Sequence, residues 1–128
     1  MKVILPIKPQ YAEKIFSGEK TYELRKQLFK YPITHVIVYA TAPISKVIGE
    51  FEVSHIIAAH PIELWNMIRL SEDKSLACVT IREFINYFDL MKYAFALAIK
   101  NPTLFDEPRP LSDYGLSYAP QSFVYYDE

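Results

Sequence analysis

Residues 33–40, Ile33-Thr34-His35-Val36-Ile37-Val38-Tyr39-Ala40, make a nearly unbroken apolar run that begins directly after Pro32. A short run of this kind, rich in β-branched residues, reads as a strand covered on both faces and therefore as a central strand of a sheet. The chain then turns at Tyr39-Ala40-Thr41-Ala42-Pro43 into a second long strand. There Val47, Gly49, Phe51 and Val53 alternate with Ile48, Glu50, Glu52 and Ser54, and Gly49 marks a bulge or a close backbone approach.

The flanking segments fall into place around this pair. Lys2 to Lys8 is β-compatible, with Pro6 indicating an edge or a strand end. Pro9 suits the first position of a helix, Tyr11, Ala12, Ile15 and Phe16 form its apolar stripe, and Gly18 suits the left-handed residue that ends it. Glu19 to Lys26 alternates as a strand, with Tyr22 and Leu24 on one face and Glu23 and Arg25 on the other. A loop covers 27–32. Residues 60–90 read as a helical insertion: Pro61 opens a helix with Ile62, Trp65 and Ile68 or Met67 inward, and a polar loop from Ser71 to Ser75 ends it. Thr80 and Glu83 have the spacing of a capping box, and Ile81, Phe84, Ile85 and Phe88 complete a core-facing stripe. Tyr93, Phe95, Leu97 and Ile99 alternate with Ala94, Ala96 and Ala98, a strand whose small face lies close under another element. The Pro-rich tail keeps enough apolar residues to wrap the domain and to add a last strand at Ser122 to Tyr126.

Five or six strands with short helices at the connections, and no strict βαβ alternation, give an α+β, mainly β class: a small, twisted β-barrel spanning residues 1–128 as one domain. The composition, 51% apolar and 23% charged, is that of a globular chain. One cysteine, Cys78, closes no internal disulfide, and no apolar stretch approaches the roughly 20 residues that cross a bilayer. A cytoplasmic protein without a membrane partner is the expectation. No phosphate loop, HExxH, CxxC or nucleophile elbow is present, and His35, His55 and His60 lack metal-ligand spacing, so no metal or cofactor is expected.

Charge is distributed unevenly. Residues 1–30 hold seven Lys or Arg and three Glu, a balance of +4, in a chain whose net charge is −1. Convergence of Lys8, Lys14, Lys20, Arg25, Lys26 and Lys30 would make a positive face; a solvated helix face and strand ends are the alternative. The densest part is Gly18-Glu19-Lys20-Thr21-Tyr22-Glu23-Leu24-Arg25. Preceded by Lys8-Pro9, Tyr11-Ala12 and Lys14-Ile15, it resembles the GxKxxExR signature of the ASCH domain family. Tyr39 to Pro43, Val47 to Phe51, Tyr87-Phe88, the Ala-rich strand after Lys92, and Pro120-Gln121-Ser122-Phe123 are similar to later segments of that family in the same order.

The resemblance implies a PUA-like barrel with a cleft beside the motif strand, and handling of RNA or of a modified nucleoside, linked to transcription or translation. For some members it implies metal-independent hydrolysis of RNA or of acetylated cytidine. In the amidohydrolase members the motif lysine acts with a hydroxyl residue three positions on; here that position is Glu23. From the residues themselves, Arg25 can grip a phosphate bidentately, with Lys20 and Lys8 as point charges. Glu23 either holds Arg25 or accepts a proton from a base amine. Tyr11, Tyr22 or Tyr39 offers a stacking surface or belongs to the core. The expected ligand site is Lys8, Lys20, Glu23, Arg25, Tyr39, Thr41, Gln121 and Ser122, binding RNA or a nucleoside or nucleotide. Its catalytic candidates are Lys20, Glu23 and Ser122, the last supplying a hydroxyl if the tail folds back. The residues leave the oligomeric state open.

Overall fold

The computed structural model describes residues 1–71 and 73–127; Glu72, within the polar loop after the first inserted helix, and Glu128 lie outside them. The elements run β1 (Lys2–Ile7), α1 (Pro9–Ser17), β2 (Tyr22–Arg25), β3 (His35–Ala40), β4 (Lys46–Ala59), α2 (Pro61–Ile68), α3 (Ile81–Phe88), β5 (Ala94–Arg109), a 3-10 turn (Leu111–Tyr114) and β6 (Val124–Tyr126). They build one six-stranded sheet in the order β2-β5-β4-β3-β1-β6. Among the described residues, only β1 and β3 pair in parallel.

β3 behaves as its apolar run demands. Val36 and Val38 enter a core with Val3, Leu5, Ala12, Ile15, Phe51 and Leu97. Ile37 and Tyr39, on the opposite face, enter a second core with Ile4 and Val47, covered by Phe105, Leu111, Tyr114 and Tyr126. A third core holds Leu24, Trp65, Ile68, Phe84, Phe88, Ala94 and Ala96, and here the alanine face of β5 lets the inserted helices lie close.

The sheet curls because its long strands are bulged. The β4–β5 pairing shifts register at three places, between Val47 and Gly49, Glu50 and Glu52, and Val53 and Ile56; each extra residue bends the strand and strengthens its twist. The curl brings the two edge strands together without a ladder between them. Side chains close the gap: Arg25 of β2 donates from Nη2 to the Ser122 carbonyl at 3.1 Å, the Lys30 amide donates to the Tyr125 hydroxyl at 2.7 Å, and the Phe29 and Phe123 rings meet edge-on at 5.1 Å. The result is a half-barrel of the expected mainly β class.

Three expectations change. The strand expected over Glu19–Lys26 shortens to Tyr22–Arg25, since Lys20 still belongs to the turn and its amide donates to the Lys14 carbonyl at 3.0 Å. β5 does not stop at Ile99 but runs on to Arg109 through Pro102 and Pro108. Past Ala98 its only strand neighbour is β4, so prolines that donate no hydrogen bond are tolerated on its free side. Finally, the apolar stripes of the inserted helices are only partly core. Trp65, Ile68, Phe84 and Phe88 are buried, whereas Ile62 and Ile85 are 68% and 58% exposed.

Candidate functional site

α1 starts at Pro9 and stops at Gly18, whose φ of 89° is the left-handed cap expected of it. The chain reverses there, so Lys20 escapes strand alternation and lies on the same side as Glu23, three residues on. The Lys20 ammonium is 3% exposed, donates to the Ala77 carbonyl at 2.6 Å, lies 3.5 Å from Glu23 Oε1 and sits 5.3 Å from the Tyr11 ring centre. Glu23 Oε2 in turn is 4.0 Å from Arg25 Nη1. A charged row, Lys20, Glu23, Arg25, therefore runs from the buried floor to the barrel seam. Burying such a pair is tolerable only because the remaining donors find acceptors.

This row forms one wall of a cleft of about 570 Å³, which Lys8, Tyr11 and Lys26 extend. The opposite wall is α3, presenting Glu83, Phe84, Asn86 and Tyr87. Four cations and two carboxylates line the cleft, a formal balance of +2. Of the six N-terminal cations proposed to converge, Lys8, Lys20, Arg25 and Lys26 do so; Lys14 lines a separate hollow with Glu19, Lys74 and Cys78.

Two hydrogen bonds tie the walls. Tyr11 donates its hydroxyl to Glu83 Oε2 at 3.2 Å, and Tyr87 donates to the Leu24 carbonyl at 3.3 Å. Glu83 has a second task as the N3 residue of the capping box: its Oε1 accepts from the Thr80 amide at 2.9 Å while its own amide donates to Thr80 Oγ1 at 3.2 Å. The Thr80 backbone N–H, chiefly, holds the Glu83 carboxyl below its ordinary range, with help from the Thr80 hydroxyl and Tyr11. Burial raises the Tyr11 phenol above its ordinary value, and the Glu83 charge adds to that. Burial raises Tyr87 as well, with Arg25 acting the other way. Lys26 lies over the Tyr87 ring at 4.7 Å.

The other expected site residues are elsewhere. Tyr39 is buried in the core on the far face of β3, because the alternation that turns Val36 and Val38 toward α1 turns Ile37 and Tyr39 away. Thr41 is half-buried in the turn after β3, donating its amide to Ile7 at 3.0 Å. Gln121 and Ser122 are exposed and do not line the cleft; Ser122 contributes a backbone carbonyl to Arg25. Glu83, Asn86 and Tyr87 were not expected in the site, although their spacing of three and four puts them on one face of α3. The histidines serve locally: His60 Nδ1 accepts from the Ile62 amide at the start of α2, and His55 meets the Tyr22 ring edge-on at 6.4 Å.

Residues 5–102 match the family model described as the ASCH domain. The chain is 30% identical, over 96% of its length, to a segment of the ATP synthase subunit alpha of Ureaplasma parvum, and 24% identical over 96% to a segment of the large ribosomal subunit protein uL22 of that organism. It spans 15% and 38% of those proteins. Among solved structures, ASCH from Zymomonas mobilis superposes with a TM-score of 0.84 at 22% identity, covering 99% of this chain and 88% of that one. A Tyr-to-Phe variant of the same protein gives 0.83, with 99% and 91% covered.

Proposed function

Because the chain belongs to the ASCH domain family, we propose that it binds single-stranded RNA or a nucleotide-like ligand in the cleft between β2 and α3. The observation that carries this is the cation set: Lys8, Arg25 and Lys26 line the same opening beside Tyr11 and Tyr87. Arg25 engages one donor on Ser122 and faces Glu23 at 4.0 Å, leaving guanidinium donors for a phosphate. The chain's likeness to segments of both a ribosomal protein and an ATP synthase subunit does not discriminate between an RNA and a nucleotide ligand. In this reading the protein is an RNA-handling module, of the kind that serves transcription or translation.

Titrating labelled short single-stranded RNA by fluorescence anisotropy at several salt concentrations tests it. Affinity falls as salt rises, and Arg25→Ala weakens binding and lowers the slope of log K against log salt by about 1. Binding that ignores salt would sink the RNA reading in favour of a neutral small ligand.

Hydrolysis built on Lys20 is a second reading, favoured by one observation: a buried Lys–Glu pair stands at the floor of the cleft. The hydroxyl proposed to work with it, Ser122, is not among the lining residues. Incubating the protein with single-stranded RNA and with acetylated cytidine decides. Products formed by the wild type and lost in Lys20→Arg, which keeps the charge, would select the hydrolase; intact substrates select binding.

A further inference from the structure

The cleft can be characterised by which of its polar groups the protein itself engages. Tyr11, Lys20, Glu23, Arg25, Glu83 and Tyr87 each have a hydrogen-bonding or ionic partner, and Lys26 rests on a ring. Lys8 and Asn86 alone among the described polar lining residues have none. They are different in kind. Lys8 offers an ammonium, while Asn86 offers a carboxamide with an acceptor and two donors in one plane. Asn86 is exposed, and it projects from the middle of α3 between Glu83 and Tyr87, both anchored to the opposite wall. Its backbone position is thereby fixed, although its side-chain amide is unengaged.

We infer that Asn86 is the specificity-determining residue of the cleft, reading the edge of a nucleobase whose phosphate lies on Lys8 and Lys26. This rests on the nucleic-acid reading above and adds to it the atom group that tells one base from another. A carboxamide pairs with an edge that places a donor beside an acceptor, which phosphates do not supply and which differs from one nucleobase to the next, as ribose hydroxyls do not. The cations contact the backbone and carry no sequence information; the amide carries it. Asn86→Ala removes the reader and leaves the helix, since an exposed mid-helix position accepts Ala readily. Asn86→Asp keeps the shape but is acceptor-only. It favours cytosine, whose N4 amine donates from the outer end of its edge, over uracil, whose single donor, N3–H, is flanked by two carbonyl acceptors.

Oligo(A), oligo(C) and oligo(U) of equal length, titrated against the wild type, Asn86→Ala, Asn86→Asp and Lys8→Ala, test this. The wild type spreads the three affinities by about tenfold or more, as expected when a paired edge contact distinguishes bases. Asn86→Ala collapses the spread to about twofold with its salt slope unchanged, and Asn86→Asp raises oligo(C) relative to oligo(U). Lys8→Ala keeps the spread and lowers the slope by about 1. Binding without a wild-type spread, or a spread that survives in Asn86→Ala, overturns the assignment of Asn86 and leaves the RNA reading standing. Failure of every oligomer to bind overturns both.

Discussion

The two walls of the cleft are built on different principles. At the floor of the barrel side two charged groups are buried and paired, while Lys8 and Lys26 stand exposed at its rim: Lys20 is 3% exposed and Glu23 8%, and the ammonium is clasped between a carbonyl and that carboxylate. On the helical side Glu83 and Asn86 are exposed, and α3 is held over the cleft by two tyrosine hydrogen bonds and by Phe84 and Phe88 beneath. The first wall is a rigid charged floor whose disruption costs the fold. The second is a presented surface, whose side chains change without unfolding anything.

The largest effect that would break this contrast is at Lys20. Lys20→Met leaves Glu23 buried with only Arg25, 4.0 Å away, to offset its charge and is expected to destabilise by about 3 kcal/mol in denaturant unfolding, while Lys20→Met with Glu23→Leu recovers much of the loss. A single variant as stable as the wild type would mean the floor is not a stability element. Next comes Glu83→Gln, which weakens the capping box and the link to Tyr11. About 1 kcal/mol is expected, read as faster amide hydrogen exchange in α3 with β2 unaffected. Uniform acceleration in both would show that the walls are not independent.

Smaller still is the pH response of the helical wall. Glu83 has a lowered folded pKa, so its contribution is present above its unfolded value, about 4.5, and is lost as pH falls through the folded one. Tyr11 and Tyr87 are raised, so theirs is present below about 10 and lost as pH rises through their folded values. Protection of the α3 amides, corrected for the intrinsic pH dependence of exchange, should fall at both extremes, and in Glu83→Gln the Tyr11 titration, followed by NMR, moves down but stays above the ordinary value because burial is its first cause. The smallest effect on the fold is expected at Lys8→Ala: stability within about 0.5 kcal/mol of wild type, with RNA affinity lowered alike for all sequences and its salt dependence reduced.

The same contrast explains what could be foreseen from the residues. Pro9, Gly18, Lys20, Glu23 and Arg25 lie within one helix–turn–strand unit, so local rules about capping and alternation suffice to bring them together, and only the extent of the turn at Lys20 was misjudged. β3 was legible because continuous apolarity has few structural meanings. The helical wall depends on how α3 docks, some 60 residues later in the chain. Its apolar stripe has the spacing of a fully core-facing helix, yet Ile81 and Ile85 line a groove of about 420 Å³ between α2 and α3 with Ile62 and Leu90, so the helix sits rotated between two openings. Tyr39 and Ser122 went astray for a related reason. A strand residue's face and a tail's path are settled by the whole sheet, and a hydroxyl in the sequence says nothing of whether its carbonyl is the part that is used.

Gly49 sits on β4, away from the cleft lining, at a register shift. A methyl placed there would lie 2.5 Å from the Thr103 carbonyl oxygen and 2.6 Å from the Phe16 ring of α1. The helix that carries Tyr11, with Lys8 at its N-cap, into the cleft is therefore seated against a bare backbone hydrogen. A residue outside the cleft lining thus sets how closely α1 packs on the sheet, through a side chain that is missing.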